Sequence, residues 1–389
     1  MQKKQQQGGK FVFDGKRIQP VYERYACDFN SPYIYERFNE FYPNYRKSTN
    51  NCLDLSSQII NMKPSSDCNP KEAVCTKFVQ MCINKMRSPV SSLCWCPDGR
   101  RVISGLNSGE LTLWNGLTFN FDTILQAHSY PIKAMEWSRN KRLLITSDSN
   151  GIVKYWNLAM TNLNEITIHN APIKDLSFSF NDAKFCTASD DSTIKIIDVF
   201  EGKIERTLIG HNWDIRKAKF HKSMALIASG GKDNLVKLWD PRQETALVTY
   251  HYHKNTILSM QFYKEYYLIS GGKDQVIKML DLRTMKEIFT YKNTGDVTAL
   301  SCTDKIIVAG NNLGEINYWE EFNENIIASG DKTHDNTVWA LDFHPAEHCL
   351  ASGAADYQVR FWIRDRFNNK EITIEEVHDD LGIIPGLNL

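Results

Sequence analysis

From Thr76 onward, short runs of alternating apolar and polar residues follow one another, each bounded by Gly, Asp, Asn or Ser. Alternation with a period of two places successive side chains on opposite faces of an extended strand, so these runs predict β-strands. Residues 109–128 show the pattern most completely, with a strand closed by Trp114, a turn at Asn115-Gly116 and a His at position 128. Helical periodicity of any length is absent, which favours an all-β fold.

The Trp that closes this strand has counterparts along the chain. Successive closing positions lie 39 to 43 residues apart, at Trp114, Trp156, Ile197, Trp239, Leu280, Trp319 and Trp362. A repeat of about 40 residues with this punctuation is typical of WD40 blades, which stack into a ring because one small sheet cannot bury its own faces. The sequence therefore predicts an all-β, seven-bladed WD40 β-propeller with an N-terminal basic and aromatic extension. Residues 76–83 precede the first repeat and predict a strand that completes the last blade.

Polar residues recur at a fixed phase within these repeats. Two repeats carry a full set of hydrogen-bonding partners, which are His211, Ser229, Asp233 and Trp239 in one and His334, Ser352, Asp356 and Trp362 in the other. A buried His needs partners, so we expect hydrogen-bonded ties between the turn before a blade and its inner strands. The same residue types could suggest hydrolysis, but an enzyme needs only one such site. We therefore predict structural ties, no catalytic residue, no metal ligand and no cofactor.

Composition divides the chain into three expected segments. These are an N-terminal arm and irregular extension (1–75), the propeller (76–366) and an acidic C-terminal tail (367–389). Lys plus Arg and Asp plus Glu each number 46, so the chain is neutral overall and only a local basic patch could bind nucleic acid. No apolar run approaches the roughly 18 residues of a membrane span, and no secretion signal begins the chain. We therefore expect no membrane contact and reduced cysteines in the cytosol or nucleus.

Two stretches depart from a plain repeat. Phe119 and Phe121 follow the Asn115-Gly116 turn, where we expect the connection between the first and second blades, and alternation would place both rings on one face. The basic and aromatic segment FDGKRIQPVYER begins at Phe13. Such a segment is either a solvated arm or a nucleic-acid contact, since cations bind phosphate and an aromatic ring stacks on an unpaired base. Phe121 is the candidate for a second ring that would complete a base pocket.

Several motifs together resemble one family. FDGKR (13–17), TKFVQMCINK (76–85) and SGELTLWNGLTFNFDTILQAH (108–128) are similar to the WD-repeat subunit of the mRNA cleavage and polyadenylation specificity complex, and the similarity continues through GIVKYWN (151–157), GKDNLVKLWDPR (231–242) and HKNTILSM (253–260). The resemblance implies a nuclear RNA-binding and scaffold subunit that performs no chemistry. It would help to recognise the AAUAAA polyadenylation signal in pre-mRNA. Its partners would be a zinc-finger subunit, a large multi-propeller scaffold subunit and the poly(A) polymerase machinery.

The resemblance also implies site residues. The U and the last A of the signal would pair with each other and be clamped between Phe13 and Phe121, with Ile124 beside them. The remaining positions that match the family's RNA surface are cationic, namely Lys16, Arg17, Arg24 and Lys85. The chain departs from the family at Gln19, Pro20 and Tyr25, where further basic residues are usual, and at Ile83, where a hydroxyl is expected.

A generic WD40 protein-interaction platform, such as a substrate receptor of a ubiquitin ligase, is the alternative to an RNA-binding subunit. Such a receptor has no need of an aromatic and basic arm paired with Phe121. RNA binding is therefore the property that separates the two hypotheses.

Overall fold

The computed structural model describes residues 11–13, 18–20, 74–84, 87–303, 305–330, 332–345, 347 and 349–364. All regular secondary structure in these ranges is β-strand. No helix long and apolar enough to span a membrane occurs in them. Two short strands lie in the N-terminal extension, β1 (Phe11–Phe13) and β2 (Ile18–Pro20). They form an antiparallel hairpin in which Phe13 pairs with Ile18.

Twenty-eight further strands form seven four-stranded sheets, one for each predicted blade. The strand that precedes the first repeat is β3 (Lys77–Ile83). Blade 1 comprises β4 (Val90–Trp95), β5 (Arg101–Leu106), β6 (Glu110–Asn115) and β7 (Phe121–Gln126). Blade 2 comprises β8 (Ile132–Trp137), β9 (Leu143–Asp148), β10 (Ile152–Asn157) and β11 (Asn162–Thr167). Blade 3 comprises β12 (Ile173–Phe178), β13 (Lys184–Ser189), β14 (Thr193–Asp198) and β15 (Ile204–Ile209). Blades 4 and 5 comprise β16 (Ile215–Phe220), β17 (Ile227–Gly231), β18 (Val236–Trp239) and β19 (Ala246–Tyr250); and β20 (Ile257–Tyr263), β21 (Tyr267–Gly272), β22 (Val276–Asp281) and β23 (Lys286–Lys292). Blades 6 and 7 comprise β24 (Val297–Cys302), β25 (Ile306–Asn311), β26 (Ile316–Glu320) and β27 (Ile326–Gly330); and β28 (Val338–Phe343), β29 (Cys349–Ala354) and β30 (Gln358–Ile363) with β3.

The ring is closed by the strand that the sequence predicted for this role. Strand β3 pairs antiparallel with β30, from Lys77 opposite Ile363 to Ile83 opposite Gln358. The residues before β3 are also anchored, because the Tyr318 hydroxyl donates a hydrogen bond to the Cys75 carbonyl at 2.7 Å. The first strand of the propeller thus completes the last blade, and backbone hydrogen bonds join the two ends of the ring.

Apolar side chains pack between neighbouring blades, and the Trp residues that close the third strands are among them. All five are buried, and they are Trp114, Trp156, Trp239, Trp319 and Trp362. Trp114 packs with residues of blade 7, and Trp239 packs with residues of blade 3. These rings are therefore buried between blades and are not exposed for stacking on bases.

The His residues before the blades contact the polar groups of the repeat. In blade 4, the Trp239 indole N–H donates to Ser229 Oγ at 2.7 Å, and the same oxygen lies 2.6 Å from His211 Nε2. His211 Nδ1 lies 2.6 Å from Asp233 Oδ2, so one chain of hydrogen bonds runs from the inner sheet to the turn. Blade 7 repeats this arrangement with His334, Ser352, Asp356 and Trp362.

The sequence shows the complete set of partners in two repeats, and the structure shows that a His is tied in three more. His128, His169 and His253 make equivalent contacts, with hydroxyls supplied by Thr146, Thr187 and Ser270 and carboxylates supplied by Asp148, Asp191 and Asp274. Thr can replace Ser because the tie needs only a hydroxyl that donates and accepts. In each tie burial would raise the pKa of the carboxyl group, but the His hydrogen bond and other donors lower it, to about 2 for Asp191.

Candidate nucleic-acid interface

The turn before Phe121 is held by hydrogen bonds from both its backbone and its side chains. Asn115 Oδ1 accepts from the backbone N–H groups of Leu117 and Thr118, and the Phe119 N–H donates to the Asn115 carbonyl at 2.8 Å. The Gly116 N–H donates to the Arg100 carbonyl at 2.6 Å. A Cβ at Gly116 would lie 2.6 Å from the Gly99 carbonyl oxygen, so only glycine permits this close approach of the two turns.

The two Phe residues after this turn point in different directions, which corrects the expectation that they share a face. Phe119 has a φ of 54° and its ring is buried, 4.4 Å from the Phe361 ring between centroids. Phe121 is 53% exposed. The positive φ reverses the chain at Phe119, so alternation begins only afterwards, within β7. That strand is the outer strand of blade 1, and the prediction that Phe121 lies in a connection between blades was therefore wrong.

A β-bulge aligns Phe121 with the other predicted residue of this strand. Phe121 pairs with Trp114 and Ile124 pairs with Thr112, with a register shift between Leu113 and Trp114. The bulge supplies one extra residue on β7, so side chains three positions apart come to the same face. Ile124 is half-buried, and the Phe121 ring stands edge-on to Trp114 at 5.9 Å. The two predicted residues therefore form one apolar surface.

Other blades also have an exposed apolar side chain at the position equivalent to Phe121. In three other blades a large apolar residue opposite the closing residue of the third strand is also exposed, and these residues are Phe78, Ile204 and Ile326. Phe78 stands edge-on to Trp362 at 5.5 Å, much as Phe121 does to Trp114. Covering the closing Trp thus accounts for part of the role of Phe121, and its exposed part remains able to stack on a ligand.

The closing strand lies directly beside the Phe121 turn. Cys82 Sγ donates to the Phe119 carbonyl at 2.9 Å, and Gln80 Nε2 donates to the same oxygen at 3.3 Å. Burial raises the pKa of Cys82 to about 12, so its thiol keeps the proton that it donates. Lys85 comes three residues after Cys82 but lies outside the described residues, so only the chain that leads to it can be placed near Phe121.

The remaining predicted residues belong to the N-terminal extension. The backbone of Phe13 lies in β1. The cations Lys16, Arg17 and Arg24 lie outside the described residues. The structure thus brings Phe121 and Ile124 together, and it leaves the arm's contribution to this surface as a prediction.

Two arginines beside Phe121 were missed by sequence reasoning. Arg101 Nε lies 3.0 Å from Asp122 Oδ2, and the Arg101 side chain is partly exposed. Arg100 is exposed and lies in the turn that contacts Gly116. The sequence signal for these residues was two adjacent arginines just before Val102, at the start of an apolar strand. In the structure Arg101 begins β5 and pairs with Asn115. These residues add positive charge next to the exposed ring, although Asp122 balances one of them.

The fold is matched independently by the profile of the family described as "WD domain, G-beta repeat". It matches residues 80–115, 119–157, 160–198, 202–240 and 324–362. Residues 241–323 between the last two matches hold blade 5 and the first three strands of blade 6, and both blades depart from the repeat pattern. Blade 5 closes with Leu280 in place of Trp, and blade 6 is preceded by Asn293 in place of His. The described strands show that both segments nevertheless form complete blades.

Curated relatives match most of the chain. A protein named "Polyadenylation factor subunit 2" from Gibberella zeae is 37% identical over 357 residues, which cover 83% of this chain and 58% of the relative. A protein of the same name from Schizosaccharomyces pombe is 36% identical over 355 residues, covering 83% of this chain and 70% of the relative. A third, from Yarrowia lipolytica, is 34% identical over 359 residues, covering 80% of this chain and 68% of the relative.

Coverage of other relatives is lower. The match to the Neurospora crassa protein of this name is 38% identical but spans only 32% of that relative. The chain therefore spans less than two thirds of this relative, and it also spans less than two thirds of the one from Gibberella zeae. The matches to the Schizosaccharomyces pombe and Yarrowia lipolytica proteins include most of each relative and confirm the resemblance that the sequence motifs indicated. This chain therefore belongs to the polyadenylation factor subunit 2 family of WD-repeat proteins.

Proposed function

We propose that this chain is a non-catalytic RNA-binding and scaffold subunit of the nuclear machinery that cleaves and polyadenylates pre-mRNA. Family membership supports a role in polyadenylation, because the relatives carry the name of a polyadenylation factor. The observation that carries RNA binding is the exposed Phe121 ring at the end of a turn that hydrogen bonds hold in place. A ring fixed before binding loses little conformational freedom when a base stacks on it.

The proposed ligand is the AAUAAA signal, bound together with a zinc-finger subunit. The U and the last A form a pair that lies between Phe121 and Phe13, and Ile124 contacts the edge of the stack. Stacking contributes roughly 1–3 kcal/mol per base, so the two rings acting together give useful affinity while either ring alone gives little. Discrimination then comes from the U and A pairing with each other in the space between the rings. Lys16, Arg17, Arg24 and Lys85 neutralise phosphates.

The closed ring supports the scaffold role. A closed propeller offers several outer surfaces to a large multi-propeller subunit and to the poly(A) polymerase machinery, and it can hold them at fixed separation. In this role the chemistry belongs to other subunits. A generic interaction platform is the competing function, and the recurrence of exposed apolar residues at Phe78, Ile204 and Ile326 is the observation that favours it.

RNA binding in the presence of the zinc-finger partner tests the proposal. We expect the assembled pair to bind AAUAAA more tightly than AAGAAA, and we expect Phe121→Ala to remove that preference. Phe200→Ala is the matched control, because Phe200 is an exposed phenyl ring in a turn of blade 3, away from this surface. Replacing Lys16 and Arg17 should flatten the dependence of affinity on salt, since fewer counterions are released. Equal affinity for both RNAs in the unmutated pair would favour the interaction platform.

A further inference from the structure

The mouth of the central channel carries an uneven ring of side chains. The second residue of each innermost strand occupies the same place in all seven blades, and these residues are Ser91, Lys133, Lys174, Arg216, Leu258, Thr298 and Trp339. The innermost strands all run in the same direction, so the seven side chains lie at one end of the channel. Blades 2, 3 and 4 supply three consecutive cations, and blades 5, 6 and 7 supply no charge at this position.

The three cations Lys133, Lys174 and Arg216 are only partly neutralised by carboxylates. Lys174 Nζ lies 3.1 Å from Asp190, and Arg216 lies 3.9 Å from Asp214. Lys133 donates to the neutral amide oxygen of Asn107 at 3.0 Å, and no ion pair joins it to a carboxylate in the described residues. Burial lowers the pKa of Lys133, and the nearby charges of Lys174 and Arg216 lower it further. An added carboxylate would relieve this repulsion.

Two polar atoms in the same group lack partners. Arg216 Nε and Asp190 Oδ1 are buried, and neither has a hydrogen-bond partner among the described residues. Leaving a buried polar atom unpaired is unfavourable, so a ligand that displaces the side chains covering these two atoms and pairs both of them gains free energy. One atom is a donor and the other an acceptor, and a peptide offers both complementary groups.

Exposed aromatic rings flank the cations. Tyr130 and Trp213 lie two residues after His128 and His211, at the same repeat position in blades 2 and 4, and both are exposed. Blade 3 has the small Ala171 at this position, which leaves space between the two rings. Exposed Trp and Tyr residues beside a recess are common anchors in protein recognition.

We propose that this mouth of the channel binds an acidic peptide from a partner protein. A Glu or Asp side chain of the peptide enters between Lys133 and Arg216, a peptide N–H donates to Asp190, and apolar side chains pack on Tyr130 and Trp213. RNA fits less well, because Asp190 and Asp214 repel a chain that carries a negative charge at every nucleotide more strongly than a peptide that carries a single carboxylate. This surface is distinct from that of Phe121, since β7 separates Phe121 from the His128 turn by about 20 Å at roughly 3.3 Å per residue.

Peptide arrays test the proposal directly. One array carries heptapeptides with a central Glu and varied neighbours, a matched array carries Gln in place of Glu, and the full chain is applied to both. We expect retention on Glu peptides with aromatic or aliphatic neighbours and loss of retention on their Gln counterparts. The best Glu peptide is then titrated by fluorescence anisotropy, with a uridine hexamer as competitor.

Four variants assign the binding to this site. Lys133→Gln should weaken peptide binding at least about tenfold, and Trp213→Ala more than about fivefold. Lys133→Arg should retain binding, which separates loss of charge from loss of folding. Lys286→Gln is the control, because Lys286 is exposed on the outer strand of blade 5. Equal retention on Glu and Gln peptides, unchanged binding by Lys133→Gln, or displacement of the peptide by the uridine hexamer would overturn the proposal.

Discussion

Ser229→Ala tests whether the His ties stabilise the ring. Ser229 is fully buried, and its oxygen contacts both Trp239 Nε1 and His211 Nε2. With His211 Nδ1–H donating to Asp233, the neutral ring accepts at Nε2 from the Ser229 hydroxyl, and that oxygen accepts from Trp239. Removing the hydroxyl therefore leaves one buried donor and one buried acceptor without a partner.

The expected loss is the cost of these two unpaired groups. Each costs about 1–3 kcal/mol, so the variant should lose roughly 2–6 kcal/mol of unfolding free energy. We expect about 3 kcal/mol, toward the lower end, because this protein already tolerates one equivalent unpaired group. The Trp319 indole N–H is buried without a partner among the described residues, since Ala309 stands where other blades have Ser or Thr.

Urea unfolding followed by Trp fluorescence measures the difference. The midpoint should fall while the slope stays constant, which indicates a change in stability without a change in compactness. Ser223→Ala is the matched control, because Ser223 is exposed in the turn after β16, and it should change stability by less than about 0.5 kcal/mol. Equal midpoints for the two variants would refute the reasoning that the tie stabilises the blade.

Two further predictions follow from other buried groups. Ala309→Ser places a hydroxyl ten residues before Trp319, as Ser229 is before Trp239, and should raise the unfolding free energy by about 1 kcal/mol in the same urea assay; a lower midpoint would show that the site has no room for the oxygen. Burial raises the pKa of Asp342 to about 7. The carboxylate of this residue lies in the channel and accepts a hydrogen bond from the backbone N–H of Trp95. The folded chain then holds a proton that the unfolded chain releases between about pH 4 and pH 7, so this carboxyl makes stability fall as pH rises through that window. Asp342→Asn should remove this fall, by at most about 1.4 kcal/mol per unit of pKa shift, and equal pH slopes in the variant and the parent chain would contradict the assignment.

The spacing of closing residues was enough to predict seven blades, and the alternation of residues 76–83 was enough to predict the closing strand. Both depend on side-chain periodicity, which is visible in a single sequence. The orientation of Phe119 and Phe121 was not predictable in this way. A positive φ at Phe119 and a bulge in β7 opposite Leu113 and Trp114 each shift the alternation by one residue, and neither leaves a clear mark in the residue pattern.

The polar ties were also only partly predictable. The hydroxyl comes from Thr146 and Thr187 in blades 2 and 3, where the two complete sets have Ser. The carboxylate partner of His128 is Asp148, which lies two residues earlier in the repeat than the carboxylates of the other ties. The orphaned indole of Trp319 and the buried Arg216 Nε depend on three-dimensional surroundings. Only the structure could reveal them.

A double-mutant cycle between Phe13 and Phe121 tests the base clamp most directly. AAUAAA binding is measured, with the zinc-finger partner present, for the parent chain, Phe13→Ala, Phe121→Ala and the double variant. If both rings hold one base pair, removing either ring removes most of the stacking, and the double variant should lose little more than a single variant. The coupling energy should then be on the order of 1 kcal/mol or more, as for groups in contact through a shared partner. Losses that add within about 0.3 kcal/mol, or no loss in Phe121→Ala, would contradict the clamp.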